Sequence, residues 1–244
     1  MLDFLTRLKA AAAHASRKSR AQLFYRTFSP TDEDLILDLG GGRGRHFARY
    51  FPNLRNVQIA DCNPDPLAHA ARVYGFKTRL VDATGQIPVA DGEFDIVFCS
   101  SVIEHVTGPQ PEALRAFKED GRAFREAAWR YQMQFASEIR RIGKRYFVQT
   151  PYRYFPIETH SWIPMLGYLP THVQWRIVRV FNRFWPRKQE DPDWALLSYK
   201  DMKALFPDAE IYRERFLLFT KSLIAISTHT ILLVCAPFQP LYAE

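Results

Sequence analysis

The chain has 244 residues, 47% apolar and 24% charged, a globular balance that excludes bulk disorder. Its net charge of +7 suits an acidic substrate, an anionic membrane surface or nucleic acid, and equally a solvated basic face. Cys62, Cys99 and Cys235 stand far apart with no C-x-x-C pair, so neither a zinc site nor a disulfide framework is indicated, which suits a reducing cytoplasm.

Leu2, Leu5, Leu8 and Ala12 recur at helical spacing among Arg7, Lys9, Arg17, Lys18 and Arg20. The charges interrupt any signal-peptide core. This predicts an N-terminal helical segment over residues 1–30: packed on the domain, laid over its active site, or peripheral to an anionic membrane. Ser29-Pro30-Thr31-Asp32 breaks it. Leu35–Leu39 is a continuous apolar run, as in a strand buried on both faces, and carries Asp38 into a glycine cluster. A helix follows over 45–51, then a strand over Val57–Ala60 ending at Asp61. Pro64–Tyr74 is the next helix, with Asn63 or Asp61 near its cap and Gly75 at its stop. Thr78–Val81 is a third strand ending at Asp82, and Phe94–Cys99 a fourth after the Asp91-Gly92 turn. This alternation predicts a parallel α/β sheet with crossover helices.

Beyond it, residues 108–121 are polar with two prolines. Phe124–Ile142 is a strong helix, with Gly143 as its stop, and Tyr146–Gln149 a fifth strand. Residues 151–170 are rich in proline and aromatics, and 173–184 read as an amphipathic helix. Ser198–Phe206 is a short helix; Glu210–Arg213 and Leu223–Ile226 form an antiparallel edge hairpin. The layout is one domain over 31–230, with a cap insertion at about 151–190 and a tail over 231–244. No apolar run reaches the roughly 20 residues a transmembrane helix needs.

The glycine corner decides the ligand class. Counting from Gly40, the sixth position is Arg45, so the dinucleotide pattern G-x-G-x-x-G fails. Gly44 is followed by Arg45-His46, so a Walker-type phosphate loop fails too. What remains is D-x-G-x-G-x-G from Asp38 to Gly44. An acidic residue at a strand end faces a cation, and S-adenosylmethionine carries an ammonium and a sulfonium but no phosphate. Asp61 at the end of strand two can accept ribose hydroxyls, and Asp82 an adenine amino group.

In this order the motifs resemble the class I S-adenosylmethionine-dependent methyltransferases, in particular the type-11-like group. The matching stretches are LDLGGGRG at 37–44, IADCNP at 59–64, VDATGQIPVADGEFDIVFCSSVIEHV at 81–106 and YFVQTP at 146–151. The resemblance covers about residues 35–226 and implies a Rossmann-like seven-stranded sheet of order 3-2-1-4-5-7-6, helices on both faces and a helical, aromatic cap. It implies a cofactor site lined by Asp38, Gly40, Gly42, Asp61, Asp82 and Ser100, with Gly41, Gly44, Cys62 and Ala83 in the same loops. The insert GPQPEALRAFKEDG at 108–121 departs from the family's usual length and is a candidate lid.

On the acceptor side, His105, Glu158 and His160 are the candidate acid/base residues. TPYRYFPIETHSWIP at 150–164 resembles a segment of uncharacterised bacterial methyltransferases of the form TPN-aromatic-FP-I-E-x-H, with Tyr152 in place of the Asn. Glu158 and His160 are two apart and share one face of an extended chain. The pair lacks an evident third ligand, so no metal is expected. Trp175, Phe181, Phe184 and Trp185 interleave with Arg176, Arg179, Arg183 and Arg187, as in a substrate cap or a membrane-surface helix. No RNA-binding pattern accompanies them, which argues against nucleic acid. The expected function is O-methylation of a small-molecule, lipid-like or glycan-like acceptor. The alternatives are RNA methylation and a non-catalytic cofactor-binding scaffold at a membrane surface.

Overall fold

The computed structural model describes residues 2–82, 87–109, 121–158, 160–184 and 194–228. Ala83, Cys235, the tail 231–244, all but the ends of the 108–121 insert, and the side chains of Trp175, Phe184, Trp185 and Arg187 lie outside that description. Seven strands form the sheet: β1 (Ile36–Leu39), β2 (Val57–Asp61), β3 (Lys77–Leu80), β4 (Phe94–Ser100), β5 (Gly143–Pro151), β6 (Glu210–Phe216) and β7 (Phe219–Ser227). Their order is β3-β2-β1-β4-β5-β7-β6, as the resemblance implied. β1 to β5 run parallel, while β7 is antiparallel to both β5 and β6.

Side chains alternate along each strand, and the two sets build two cores. Ile36, Ile96, Phe98, Phe147 and Ile224 face one side, with α1 (Leu2–Phe28), α2 (Arg45–Tyr50) and α3 (Pro64–Tyr74). Leu37, Val97, Cys99, Tyr146, Val148 and Ala225 face the other, with α4 (Gly121–Ile142) and α6 (Tyr199–Leu205). This two-sided burial explains why β1 and β4 read as unbroken apolar runs. The cap holds a small core of its own, in which Ile163, Leu166, Trp194 and Leu196 meet Val178 of α5 (Thr171–Phe184).

The C-terminal part of α1 is integral to the first core. Phe24 is fully buried, its ring centroid 5.2 Å from Phe51, 5.6 Å from Phe98 and 5.8 Å from Phe147. Burying such a ring contributes about 2–3 kcal/mol. One turn earlier, Arg20 crosses to the far edge of the sheet and pairs with Glu214 of β6 at 2.9 Å. The helix thus packs on the domain and also reaches over the carboxyl ends of the central strands.

Several elements differ in extent from the sequence reading. β3 starts at Lys77 and ends at Leu80, and Val81 follows it with its N–H on the Asp61 carbonyl. Gly143 both ends α4 and opens β5 with no intervening loop. A Cβ at Gly143 would lie 2.6 Å from Val97 Cγ2, so glycine permits the close approach of helix end and strand. The final hairpin is longer than expected and turns through Leu217-Leu218, with Leu217 at φ +54°.

Candidate active site

The carboxyl ends of β1, β2 and β4 carry one half of the site. Asp38 lies near the end of β1, 3% exposed, and its Oδ2 has no hydrogen-bond partner. Burial, with the Asp61 charge adding to it, pushes its carboxyl up to about 7. Gly41 passes directly over this group: a Cβ there would lie 2.2 Å from Asp38 Oδ2. Gly40 turns the chain out of the strand at φ +76°, where a Cβ would meet Val102 Cγ2 at 2.3 Å. A Cβ at Gly42 would meet only Asp61 Oδ2, at 3.7 Å, so this part of the loop stays open to a ligand. Gly44 precedes α2 and donates its N–H to the Gly41 carbonyl.

Asp61 ties this loop to the next. Its Oδ2 accepts from Gly42 N and its Oδ1 from Asn63 N, both at 3.0 Å. Each oxygen keeps a lone pair for a further donor. Cys62 is exposed beside it, and Asn63 caps α3 by accepting from Asp65 N. Asp82 is exposed just past β3. The buried, unpartnered carboxylate oxygen under a glycine loop fits a cationic group, and Asp61 fits a vicinal diol.

The other half of the site lies across β4 and β5. A cavity of 490 Å³ opens over the ends of these strands, lined by Ser100, Ser101, Gln149 and Pro151 from below. Ala12, Ala13, Ser16, Arg17 and Arg20 of α1 wall one side, and Phe155, Ile157, Glu158, His160 and Trp162 of the cap another. His46, Phe216, Lys221 and Ser222 complete it. Ser100 ends β4, the strand beside β1. Its hydroxyl donates to Gln149 Oε1 at 2.7 Å, which also accepts from Ser101 Oγ and from Arg20 Nη1.

Arg17, Arg20 and Lys221 line the cavity with the carboxylate of Glu158, and Arg20 is matched by Glu214. Burial and then the charges of Arg17 and Arg20 pull the His46 imidazole down to about 4, so it is neutral at pH 7. Its Nε2 has no partner.

The structure brings His105, Glu158 and His160 together. The Glu158 side chain is fully buried. Its Oε1 accepts from His160 N and meets His160 Nδ1, both at 2.8 Å, while its Oε2 accepts from Ser161 N and Ser161 Oγ. Burial pushes its carboxyl up, but these bonds outweigh it and hold Glu158 below the usual carboxylate range. The His160 ring stacks on Trp194 at 4.8 Å and meets the His105 ring edge-on at 5.0 Å.

Glu104, not singled out as a site residue from the sequence, joins this cluster. It sits in the 3-10 turn Ile103–His105 after β4, with no exposed surface. Its Oε2 accepts from Thr150 Oγ1 at 3.0 Å, while its Oε1 has no partner. Burial pushes its carboxyl up despite the nearby imidazoles of His105 and His160. Donor atoms of Glu104, His105 and His160 lie within 4.8 Å of one another. Gln149, Thr150, Arg20 and Trp194 were also missed. The polar Gln149-Thr150 pair at the end of an apolar strand was the available signal.

Comparison with known proteins agrees with this geometry. Residues 37–128 match a family model described as a methyltransferase domain. That match covers less than half of the chain, and the fold and the glycine corner are in keeping with it. Within the chain, a 76-residue stretch is 40% identical to an uncharacterized methyltransferase of Mycobacterium sp. (strain KMS), covering 30% of this chain and 29% of that protein. A relative from Mycobacterium sp. (strain JLS) matches to the same extent. The matched stretch thus spans less than a third of the length of these curated relatives. Among solved structures, the YcgJ protein of Bacillus subtilis shares the fold with a TM-score of 0.51 at 17% identity, over 83% of this chain and 71% of that one. Among the described residues no helix is long and apolar enough to cross a membrane.

Proposed function

We propose that the protein is an S-adenosylmethionine-dependent methyltransferase that methylates an oxygen of a small, acidic, partly apolar acceptor. One observation carries the reading: a buried, unpartnered Asp38 oxygen lies under a glycine loop at the end of β1, and the end of the neighbouring strand β4 lines a cavity with cations and aromatics. Bound S-adenosylmethionine supplies an electrophilic methyl group on a sulfonium. Asp38 takes its ammonium end, Asp61 its ribose hydroxyls and Asp82 its adenine amino group. Arg17 and Lys221 draw an acidic acceptor into the cavity, while Phe155, Trp162 and Phe216 pack its apolar part. Glu158 fixes the His160 ring through Nδ1, which leaves Nε2 to face the acceptor hydroxyl beside His105. The chain's own contribution is placement of the nucleophile on the methyl axis and removal of its proton.

The cavity mouth favours acceptors presented at an anionic lipid surface. Phe216 reaches the cavity, and the adjoining turn holds Leu217 and Leu218 at 80% and 91% exposure. A leucine at φ +54° occupies a position that glycine would fill without strain. Arg17, Lys18, Arg213 and Arg215 are exposed, and their charge complements an anionic surface.

Calorimetry with S-adenosylmethionine tests the cofactor reading: wild type binds, and the Asp61→Ala, Gly40→Val variant does not. Absence of binding to wild type sinks it. Flotation with vesicles of anionic and of neutral lipid tests the lipid reading. Binding to anionic vesicles is expected to drop about tenfold in the Leu217→Ser, Leu218→Ser variant, at about 1 kcal/mol or more of lost apolar burial. Equal flotation of wild type and variant refutes it.

A further inference from the structure

We propose that Glu104, His105 and His160 form a binding site for one divalent transition cation of the zinc type, at the junction of the β4 end and the cap. Three independent features point to a ligand there. First, the three side chains can each bring one donor atom into a group spanning no more than 4.8 Å, close enough to converge on one ion with small rotamer adjustments. Second, Glu104 is completely buried with Oε1 unpartnered, so a full hydrogen-bonding capacity is kept dry for no partner in the protein. Third, His160 already has the outer-shell arrangement of a metal-ligating histidine: its Nδ1 meets the buried Glu158 carboxylate at 2.8 Å, which orients the ring and frees Nε2.

The donors are held on fixed elements. Thr150 of β5 holds the other oxygen of Glu104, and the Glu104 carbonyl accepts from Ala195 N at 2.7 Å. Gln132 of α4 donates to the neighbouring Ile103 carbonyl and to the Ala195 carbonyl. His160 is braced by its stack on Trp194. Two imidazoles and one carboxylate select a borderline cation such as Zn²⁺, Co²⁺ or Fe²⁺ over Mg²⁺ or Ca²⁺, which prefer oxygen alone. Three protein ligands leave at least one position open, and one of the three, His160, lines the cavity.

The function of the site rests on the methyltransferase reading; its existence does not. A cation there would lower the pKa of the acceptor hydroxyl and, with His160 Nε2 then a ligand, take over its part in removing the proton, which would pass to solvent; the oxygen lone pair would form the new bond to the methyl carbon as the carbon–sulfur bond breaks and S-adenosylhomocysteine leaves.

The test is titration of the purified full chain with Co²⁺ alone, read by visible ligand-field absorption, followed by displacement with Zn²⁺. One Co²⁺ per chain with an intense, low-symmetry spectrum is expected. His160→Ala should weaken binding by about 100-fold or more, and Glu158→Gln by about 10–100-fold through the outer shell alone. Glu104→Gln should do so too, with its fold checked by circular dichroism. His160 lies on the cap, outside the two sheet cores, so its variant remains informative if the Glu104 variant misfolds. Only weak, multi-site binding with the faint spectrum of hydrated Co²⁺, or affinity unchanged in His160→Ala, overturns the proposal. Calorimetry with S-adenosylmethionine on the same sample is read separately, so failure of the cofactor reading is distinguishable from failure of the metal site.

Discussion

Asp38 offers the sharpest test of the cofactor half of the site. Its carboxyl moves from an ordinary 3.8 to about 7, chiefly by burial. Below pH about 4 the group is protonated whether the chain is folded or not, and it costs nothing. As pH rises from there towards 7, the unfolded chain releases the proton and the folded chain keeps it, so stability falls. Above 7 both states are ionised and the loss is complete. At about 1.4 kcal/mol per pH unit over roughly three units, that loss is about 4 kcal/mol. The Asp38→Asn variant removes the ionisation. Urea unfolding at a series of pH values should therefore show the variant gaining on wild type by about 1.4 kcal/mol per unit between pH 4 and 7, with no further gain above. A constant offset from the new amide does not affect this slope. A cationic ligand restores the carboxylate, so wild-type affinity for S-adenosylmethionine should fall about tenfold for each pH unit below 7, and the variant should lose at least about 100-fold at pH 8. A stability difference that does not change with pH, or binding indifferent to the substitution, refutes the reasoning.

Two further outcomes follow from the acceptor half. Glu214→Ala leaves Arg20 buried without its carboxylate and should cost about 3–5 kcal/mol by denaturant unfolding, whereas Arg20→Met combined with Glu214→Leu should recover most of the loss. His46, neutral with its imidazole near 4 because of burial, Arg17 and Arg20, should titrate at higher pH when an anionic acceptor analogue fills the cavity. Imidazole chemical shifts followed against pH read this directly, and an unmoved titration would remove His46 from the acceptor site.

The parallel half of the sheet was legible because burial on both faces leaves a plain mark: Ile36–Leu39 and Phe94–Cys99 have no polar face to show. The candidate cofactor residues could be named because each lies at or just beyond a strand end, where a lone acid or glycine interrupts an apolar run. The acceptor side was only half readable. His105, Glu158 and His160 could be named, but their meeting depends on the cap folding back so that Trp194 supports His160, a contact across 34 positions with no local pattern. Glu104 was hidden because an acid beside a histidine in a polar turn ordinarily points to solvent. Gln149 and Arg20 were hidden for the same reason, since their partnership spans 129 positions. The turn at Leu217-Leu218 was missed because two leucines carry no turn signal at all.

The pairing of Arg20 with Glu214 has a consequence for the order in which the molecule is made. The two residues are 194 positions apart, and both the wall and the floor of the acceptor cavity depend on them. During synthesis α1 emerges early, yet its guanidinium finds a buried partner only after β6 has left the ribosome. The glycine corner, by contrast, needs only the first four strands. A growing chain can therefore assemble its cofactor corner well before it has an acceptor cavity, and closure of the first helix onto the last hairpin becomes the late event that turns a ligand-binding fold into a complete site.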